Sequence, residues 1–197
     1  MTPLVQRIHQ VLPQTQCTRC GYPDCERYAQ AIVEDQAPIN QCPPGGAEGV
    51  ARLSAVTGQA IQALNPENGQ EGPRSVAYID EDWCIGCTLC LDACPTEAIV
   101  GANKQMHTII EADCTGCELC LPVCPVDCIE LEIAQPQLTG WAAWSETQAQ
   151  QALTRYEQRK ARLNQANEER AQTLAAELAR KAKGAVLQAA LAKAAKA

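Results

Sequence analysis

The sequence contains no phenylalanine, and aromatic residues make up only 4% of its 197 residues. Aromatic side chains supply much of the buried area of an ordinary core, so this composition gives little material for one. The sequence also lacks any run of the roughly 18 to 20 apolar residues that a helix needs to cross a bilayer. These absences predict no membrane-spanning segment, and they require another source of stability for the core.

A secretory signal is also missing, because residues 1–16 contain Arg7, His9 and two prolines but no apolar run. Disulfides rarely persist in the cytosol, where closely spaced cysteines more often bind metal. The sequence has thirteen cysteines, and twelve of them fall into three groups of four. Although a disulfide scaffold is the simplest alternative, we interpret these groups as metal ligands in a cytoplasmic protein.

The net charge of −7 conceals two regions of opposite sign. Residues 1–144 carry six Lys and Arg against eighteen Asp and Glu, whereas residues 145–197 carry ten against five. An acidic body argues against nucleic-acid binding and favours docking onto a basic partner surface. The basic residues of the second region are interpreted mainly as the solvated face of a helix, with partner binding as the alternative.

Composition divides the chain into four parts. Residues 1–64 hold the first cysteine group and a short helical stretch, and the Pro/Gly/Asn-rich residues 65–74 are predicted to be a linker. Residues 75–135 contain the other two groups, with short β-rich stretches that suggest two antiparallel hairpins. Residues 136–197 are rich in Ala, Gln, Glu, Arg and Lys, which are strong helix formers.

An internal repeat with an offset of thirty residues occupies the third part. DEDWCIGCTLCLDACPTEAIV, starting at Asp80, aligns with IEADCTGCELCLPVCPVDCIEL, starting at Ile110. Each copy places three cysteines at C-x2-C-x2-C, a spacing that wraps one loop around an object larger than a single ion. Zinc ligands, by contrast, usually come as two separated pairs. The spacing therefore favours an iron–sulfur cluster.

The first cysteine group has the different spacing C-x2-C-x4-C-x16-C, formed by Cys17, Cys20, Cys25 and Cys42. By itself this spacing suits zinc, an isolated 4Fe–4S cluster or a 2Fe–2S centre. All four ligands are thiolates and two further cluster motifs follow in the same chain, so we expect a 4Fe–4S cluster here. These four cysteines are called site 1.

The repeat resembles the bacterial two-cluster ferredoxins, in which the fourth cysteine of each C-x2-C-x2-C-x3-C-P run binds the other cluster. The resemblance implies two 4Fe–4S clusters with exchanged ligands. Site 2 would consist of Cys84, Cys87, Cys90 and Cys124, and site 3 of Cys114, Cys117, Cys120 and Cys94. The implied fold is α+β: a small N-terminal 4Fe–4S domain, a pseudo-twofold two-cluster ferredoxin domain and a long C-terminal α-helix.

A wider resemblance covers roughly residues 1–135. CTRCGYPDC, the later CPPGG and the connector GANKQMHT are similar to the RnfB/RsxB family, which provides the B subunit of the Rnf/Rsx electron-transport complex. The resemblance implies an electron-transfer subunit with three 4Fe–4S clusters and no catalytic site of its own, which exchanges electrons with redox protein partners. Members of this family usually start with an apolar anchoring helix that this sequence lacks, so we expect peripheral association with the inner membrane at most.

Two other functions fit the same residues. One is a soluble ferredoxin-like subunit of another oxidoreductase, which the missing anchor favours. The other is a binding or regulatory module, either an iron–sulfur redox sensor or a cluster carrier; the complete four-cysteine sets disfavour the carrier. Outside the three sites, Cys128 aligns with Ala98 and is expected to pack as a small buried side chain, with a redox or substitute-ligand role as the alternative. His107 is expected to make a structural hydrogen bond, and His9 to lie at the surface.

Overall fold

A computed structural model describes the backbone of residues 2–194 and the side chains of residues 2–183. The chain forms two compact units, Met1–Tyr156 and Glu157–Ala197. The helices are α1 (Pro3–Gln10), α2 (Cys25–Glu34), α3 (Gly46–Thr57), α4 (Leu89–Ala93) and α5 (Glu146–Ala194), and the strands are β1 (Ser75–Ile79), β2 (Ile99–Val100), β3 (Thr108–Ile109) and β4 (Ile129–Ile133). This mixture of helices and short strands confirms the predicted α+β class.

Helices α1, α2 and α3 enclose the first apolar core of the larger unit. The core contains Ile8, Tyr28, Ile32 and Leu53, each almost completely buried. The start of α2 is fixed by Asp24, whose carboxylate accepts a 2.7 Å hydrogen bond from the N–H of Arg27. An acidic residue at this position satisfies one of the donors that every helix leaves free at its first turn. As a result Cys25 becomes the first residue of the helix.

The four strands form two separate antiparallel pairs. Strands β2 and β3 are connected as the expected hairpin, with Ile99 opposite Ile109. The expectation of a second hairpin is wrong, because β1 pairs instead with β4 from the far end of the repeat, Ser75 opposite Ile133. The pairing of β1 with β4 joins the first and last segments of this region, so the two copies of the repeat close on each other.

The two copies also exchange their lead-in segments. The N–H of Ala77, in the strand before the first cysteine loop, donates a 3.4 Å hydrogen bond to Sγ of Cys114 in the second loop. Thirty residues later, the N–H of His107 donates a 3.3 Å hydrogen bond to Sγ of Cys84 in the first loop. The repeat is therefore structural as well as sequential, and each half of it lines the cysteine loop of the other half.

The segment 65–74, predicted to be a linker, makes specific contacts. The carboxylate of Glu71 accepts hydrogen bonds from the N–H of Ala47 (2.8 Å) and the hydroxyl of Thr139 (2.7 Å). The side-chain amide of Asn68 donates to the carbonyl of Arg19 at 3.0 Å. This segment therefore connects the N-terminal helices with the residues that precede α5.

The long helix α5 begins with a capping box. The hydroxyl of Ser145 accepts a hydrogen bond from the N–H of Gln148, and the Gln148 side chain accepts one from the N–H of Ser145. Just before it, the indole N–H of the buried Trp144 donates a 2.8 Å hydrogen bond to the carbonyl of Pro13. The first turns of α5 thereby belong to the larger unit, and the rest of the helix forms the smaller one.

Within the described part of the chain, no helix combines the length and the apolar character required to cross a bilayer.

Candidate metal sites

The four cysteines of site 1 lie close together at the edge of the first core. Cys17, Cys25 and Cys42 are buried and Cys20 is partly exposed. Burial raises the pKa of the Cys42 thiol well above its ordinary value, and the nearby sulfurs of Cys25, Cys17 and Cys20 raise it further. A buried thiol of this kind stays protonated unless a bound cation compensates the charge of its thiolate.

The backbone that leads into site 1 is curled by three residues in the left-handed conformation, Gln14, Gln16 and Thr18. Each non-glycine residue in this region costs about 1 to 3 kcal/mol, a strain that is concentrated at functional sites. Buried glutamine side chains hold the segment in place. The Gln16 side chain accepts from the N–H of Cys25 at 3.0 Å and donates to Gln14, which in turn donates to the carbonyl of His9. His9 itself is buried in the packing of α1, so its expected surface position is wrong.

One cavity in the repeat is lined by the four cysteines of site 3. Cys94 comes from the first cysteine loop, whereas Cys114, Cys117 and Cys120 come from the second. Burial raises the pKa of the Cys120 thiol to about 12, with added contributions from Cys117, Cys114 and Cys94. The structure therefore brings Cys94 to the sulfurs of the neighbouring loop.

A second cavity, related to the first by the repeat, is lined by the four cysteines of site 2: Cys84, Cys87, Cys90 and Cys124. Two of the other side chains that line it approach the sulfurs. The imidazole Nδ1 of His107 lies 3.4 Å from Sγ of Cys90, and Sγ of Cys128 lies 3.5 Å from Sγ of Cys124. Cys128 is buried, as predicted for a packing position, but it packs against a ligand candidate rather than against hydrocarbon alone.

Glycines allow the crossed segments to approach the loops. Gly116 has φ = +66°, and a Cβ there would overlap the carbonyl oxygen of Ser75 at the start of β1. Gly86 has φ = +67°, and a Cβ there would overlap the backbone of Gln105. Glycine adopts this conformation without strain, and its lack of a side chain allows another backbone segment to pass close by. Each of these glycines therefore lets a lead-in segment reach the sulfurs.

Site 1 lies beside the loop of site 3. The buried hydroxyl of Thr115, next to Cys114, donates a 3.0 Å hydrogen bond to the carbonyl of Thr15. Arg19, between two cysteines of site 1, forms a 2.5 Å ion pair with Glu118. The contacts join the N-terminal segment to the second cysteine loop.

Arg155, near the start of α5, is a residue whose role was not predicted from the sequence. Its guanidinium donates to the carbonyls of Thr96 (2.7 Å) and Glu97 (2.9 Å) and forms an ion pair with Asp113 at 3.2 Å. It thus fixes the residues that follow Cys94 and precede Cys114. Composition assigned Arg155 to a solvated helix face, and no motif marks it as different from the other tail arginines.

The four candidate ligands of each site are all cysteine sulfurs, each of them buried or partly buried, which suits an iron–sulfur cluster. In the part of the chain with described side chains, no three His, Cys, Asp or Glu residues lie close enough to hold one metal ion. Sites 2 and 3 instead line cavities, and backbone N–H groups point at their sulfurs: those of Ala77 and Ala98 at site 3 and that of His107 at site 2. Such hydrogen bonds tune the potential of an iron–sulfur cluster.

Comparison with known proteins gives the same chemistry. Residues 77–131 match a family model described as a 4Fe-4S dicluster domain, and residues 12–44 match one described as a putative Fe-S cluster. A relative from Azoarcus sp. (strain BH72), named as the B subunit of an ion-translocating oxidoreductase complex, is 60% identical over 139 residues, which are 71% of this chain and 76% of the relative. A relative of the same name from Shewanella oneidensis is 51% identical over 71% of both chains. Another, from Erwinia tasmaniensis, is 50% identical over 72% of this chain and 73% of the relative.

Replacing Gly116 with alanine tests the close approach at site 3. The added methyl group would collide with the Ser75 carbonyl and require a strained φ. We therefore expect G116A to lose the cluster of site 3, which is about four irons per chain for a 4Fe–4S cluster. Iron and acid-labile sulfide are measured on anaerobically purified protein. Gly72→Ala is the control, because a Cβ at Gly72 meets nothing within 4 Å. Equal iron in both variants would contradict the prediction.

Proposed function

The chain belongs to the family of B subunits of ion-translocating oxidoreductase complexes, which are iron–sulfur electron-transfer proteins, and we propose that it carries three 4Fe–4S clusters on sites 1, 2 and 3. Its general function is electron transfer through bound iron–sulfur clusters. The number of clusters, their ligands and their partners are the subject of the proposal.

The observation that carries the proposal is the composition of the two cavities in the repeat. Each cavity is lined by three cysteines of one loop and the fourth cysteine of the other, Cys124 at site 2 and Cys94 at site 3. This is the exchange expected for the C-x2-C-x2-C-x3-C-P run. It supports the assignment of eight cysteines to two clusters with exchanged ligands.

For site 1, the observations favour an iron–sulfur cluster over zinc. The family model matched by residues 12–44 is described as a putative Fe-S cluster. The four ligand candidates Cys17, Cys20, Cys25 and Cys42 are all thiolates and are partly or fully buried. Since site 1 also adjoins site 3 through the bond between Thr115 and Thr15, a redox centre there would lie next to another one.

The protein residues bind, insulate and tune the sites. A 4Fe–4S cluster supplies a centre that accepts and releases one electron at a time. The chain provides the thiolates, and its buried apolar residues, such as Ile79 and Ile129 at site 2, restrict the access of water. Backbone N–H groups donate to the sulfurs, which favours the more negatively charged reduced state.

The contacts between the sites suggest their order in a relay. Site 1 adjoins the second cysteine loop through Thr115 and Glu118. Sites 3 and 2 adjoin each other through the exchanged cysteines. The proposed order is therefore site 1, site 3, site 2, with site 2 at the end farthest along the relay from the N-terminal region.

The proposed partners are redox subunits of an ion-translocating complex, in agreement with the name of the relatives. A protein that depends on twelve thiolates requires a reducing compartment, so the proposed location is cytoplasmic, with peripheral association at the inner membrane. The acidic balance of residues 1–144 suits partners with basic docking surfaces.

Metal analysis tests the number and the kind of centres. Anaerobically purified protein should contain about twelve irons and about twelve sulfides per chain, four of each for every cluster. Reduced protein should give EPR spectra of interacting 4Fe–4S clusters. About eight irons with one zinc would contradict the assignment of site 1 and leave the other two sites intact.

The variant Cys94→Ala tests the exchange of ligands. Because Cys94 lies in the cavity of site 3, we expect C94A to lose or convert the cluster held by Cys114, Cys117 and Cys120 while site 2 remains loaded. The measurement is the EPR spectrum together with iron content, and Cys124→Ala provides the reciprocal variant, affecting site 2. If C94A damaged site 2 alone, the exchange would be disproved.

A further inference from the structure

Three large apolar side chains are exposed next to site 2. Trp83 is 69% exposed, Ile85 is 58% exposed and Met106 is 58% exposed. Trp83 and Ile85 flank Cys84 in the chain, and Ile85 also lines the site 2 cavity. Exposed apolar side chains that occur together, rather than singly, are characteristic of interaction surfaces.

The backbone segments that carry these side chains lie side by side. The N–H of Lys104 donates a 2.9 Å hydrogen bond to the carbonyl of Gly86, and the N–H of His107 donates to Sγ of Cys84. Met106 is therefore adjacent to the loop that presents Trp83 and Ile85. We refer to Trp83, Ile85 and Met106 as the site 2 face.

At site 3, the face equivalent to the site 2 face is covered by other residues of the same chain. The equivalents of Trp83 and Ile85, thirty residues later, are Asp113 and Thr115. Asp113 forms an ion pair with Arg155 of α5, and the buried Thr115 donates to the carbonyl of Thr15 in the site 1 region. The equivalent of Met106, thirty residues earlier, is Val76, which is buried.

Three acidic residues adjoin the site 2 face. Asp80, Glu81 and Asp82 directly precede Trp83, and Lys104 is the only Lys or Arg in the two segments 80–90 and 101–107. Glu81 and Asp82 are exposed. An apolar centre beside carboxylates complements a surface with an apolar centre and Lys or Arg residues at its rim.

We propose that the site 2 face docks an electron-transfer partner with a basic rim, in the position that the site 1 region occupies at site 3. The inference rests on the proposed function and names the surface through which electrons enter or leave the relay. On this arrangement, one face of the repeat receives a redox site of its own chain and the pseudo-equivalent face receives a redox site of another protein.

The test measures electron transfer from the reduced protein to two acceptor probes under anaerobic stopped-flow conditions. Basic cytochrome c and acidic cytochrome b5 serve as probes, and each transfer moves one electron to a ferric haem without forming or breaking a bond. We expect faster transfer to cytochrome c, with a rate that falls as ionic strength rises. The double variant Trp83→Gln/Met106→Gln should lower that rate at least fivefold.

The matched control is Ile61→Gln, because Ile61 is 68% exposed and lies outside the repeat. An equal rate loss in I61Q, or no loss in the double variant, would overturn the docking face. A dimer of the wild-type chain that dissociates in the double variant would assign the face to a second copy and would also overturn the proposal. Iron content and electron transfer to the small high-potential acceptor dichlorophenolindophenol are measured in parallel; their failure in the wild type would refute the proposed function instead.

A different asymmetry of the repeat concerns the side chains that contact the sulfurs. At site 2, the imidazole of His107 lies 3.4 Å from Sγ of Cys90, and the thiol of Cys128 lies 3.5 Å from Sγ of Cys124. The equivalent positions at site 3, thirty residues earlier, are Ala77 and Ala98, which have no side-chain donor. The hydroxyls of Thr96 and Thr115 also approach site 3 sulfurs, but they donate their protons to the carbonyls of Asp113 and Thr15. Backbone donors are present at both sites, since Ala77 and His107 each donate an N–H to a sulfur.

A thiolate accepts hydrogen bonds and cannot donate them, so His107 Nδ1–H and Cys128 S–H are the donors when Cys90 and Cys124 are ligands. Such bonds stabilise the reduced state, which carries more negative charge, and raise the reduction potential. We infer that His107 and Cys128 are positioning residues that hold the potential of site 2 above that of site 3. Electrons then accumulate at the site with the exposed face.

The variants Cys128→Ala and Cys128→Ser separate this effect from packing. C128A reproduces the residue found at site 3, whereas C128S keeps a hydroxyl donor. We expect C128A to shift the electron distribution between the two sites about tenfold toward site 3. This shift corresponds to a reduction potential of site 2 that is lower by about 59 mV for a one-electron couple. C128S should stay near the wild-type potential. The readout is an EPR-monitored redox titration, with C94A used to assign the signals.

An equal shift in both Cys128 variants, or no shift in C128A, would overturn the inference. Loss of about four irons from C128A would identify Cys128 as a ligand and would overturn it as well. His107→Leu provides an independent variant, because it removes the imidazole donor and keeps the backbone N–H; its expected shift has the same sign. An upward shift in the potential of site 2 in H107L would contradict the proposed role.

Discussion

The region that contains the repeat, residues 75–135, depends on two crossed positions. Cys94 lies among the sulfurs of the second loop, and Cys124 lies among the sulfurs of the first loop. Neither half lines its cavity with four sulfurs by itself, so each cavity is completed by a cysteine of the other half. The β1–β4 pairing and the two backbone N–H···S bonds follow the same exchange. A region with few aromatic residues thereby acquires long-range order from sulfur and backbone contacts.

Much of this arrangement was predictable because the cysteine spacing is specific. The α+β class, the thirty-residue repeat and the family were all predicted from the sequence, and the structure and the relatives confirm them. The spacing of the cysteines in the two loops and the proline after each loop predict the local structure without knowledge of the tertiary contacts. The assignment of individual cysteines to sites 1, 2 and 3 remains a prediction, although the cavities agree with it.

Features that depend on tertiary contacts were not predictable. Nothing in the sequence distinguishes Arg155 from the other arginines of the helix, yet it binds two carbonyls and a carboxylate of the repeat. His9 was expected at the surface because no motif surrounds it, but packing of the N-terminal helices buries it. The hairpin expectation for β1 failed for a related reason: β-propensity identifies strands without identifying their partners.

The hydrogen bonds from Thr115 to Thr15 and from Trp144 to Pro13 have a consequence for the modularity of the chain. They satisfy two carbonyls of the strained segment that leads into site 1, and their donors come from about a hundred residues away or more. A fragment ending at the linker would lack both donors and leave those two carbonyls to solvent. Recombination of the N-terminal region with a foreign ferredoxin would therefore have to transfer Thr115 and Trp144 with it in order to keep both hydrogen bonds.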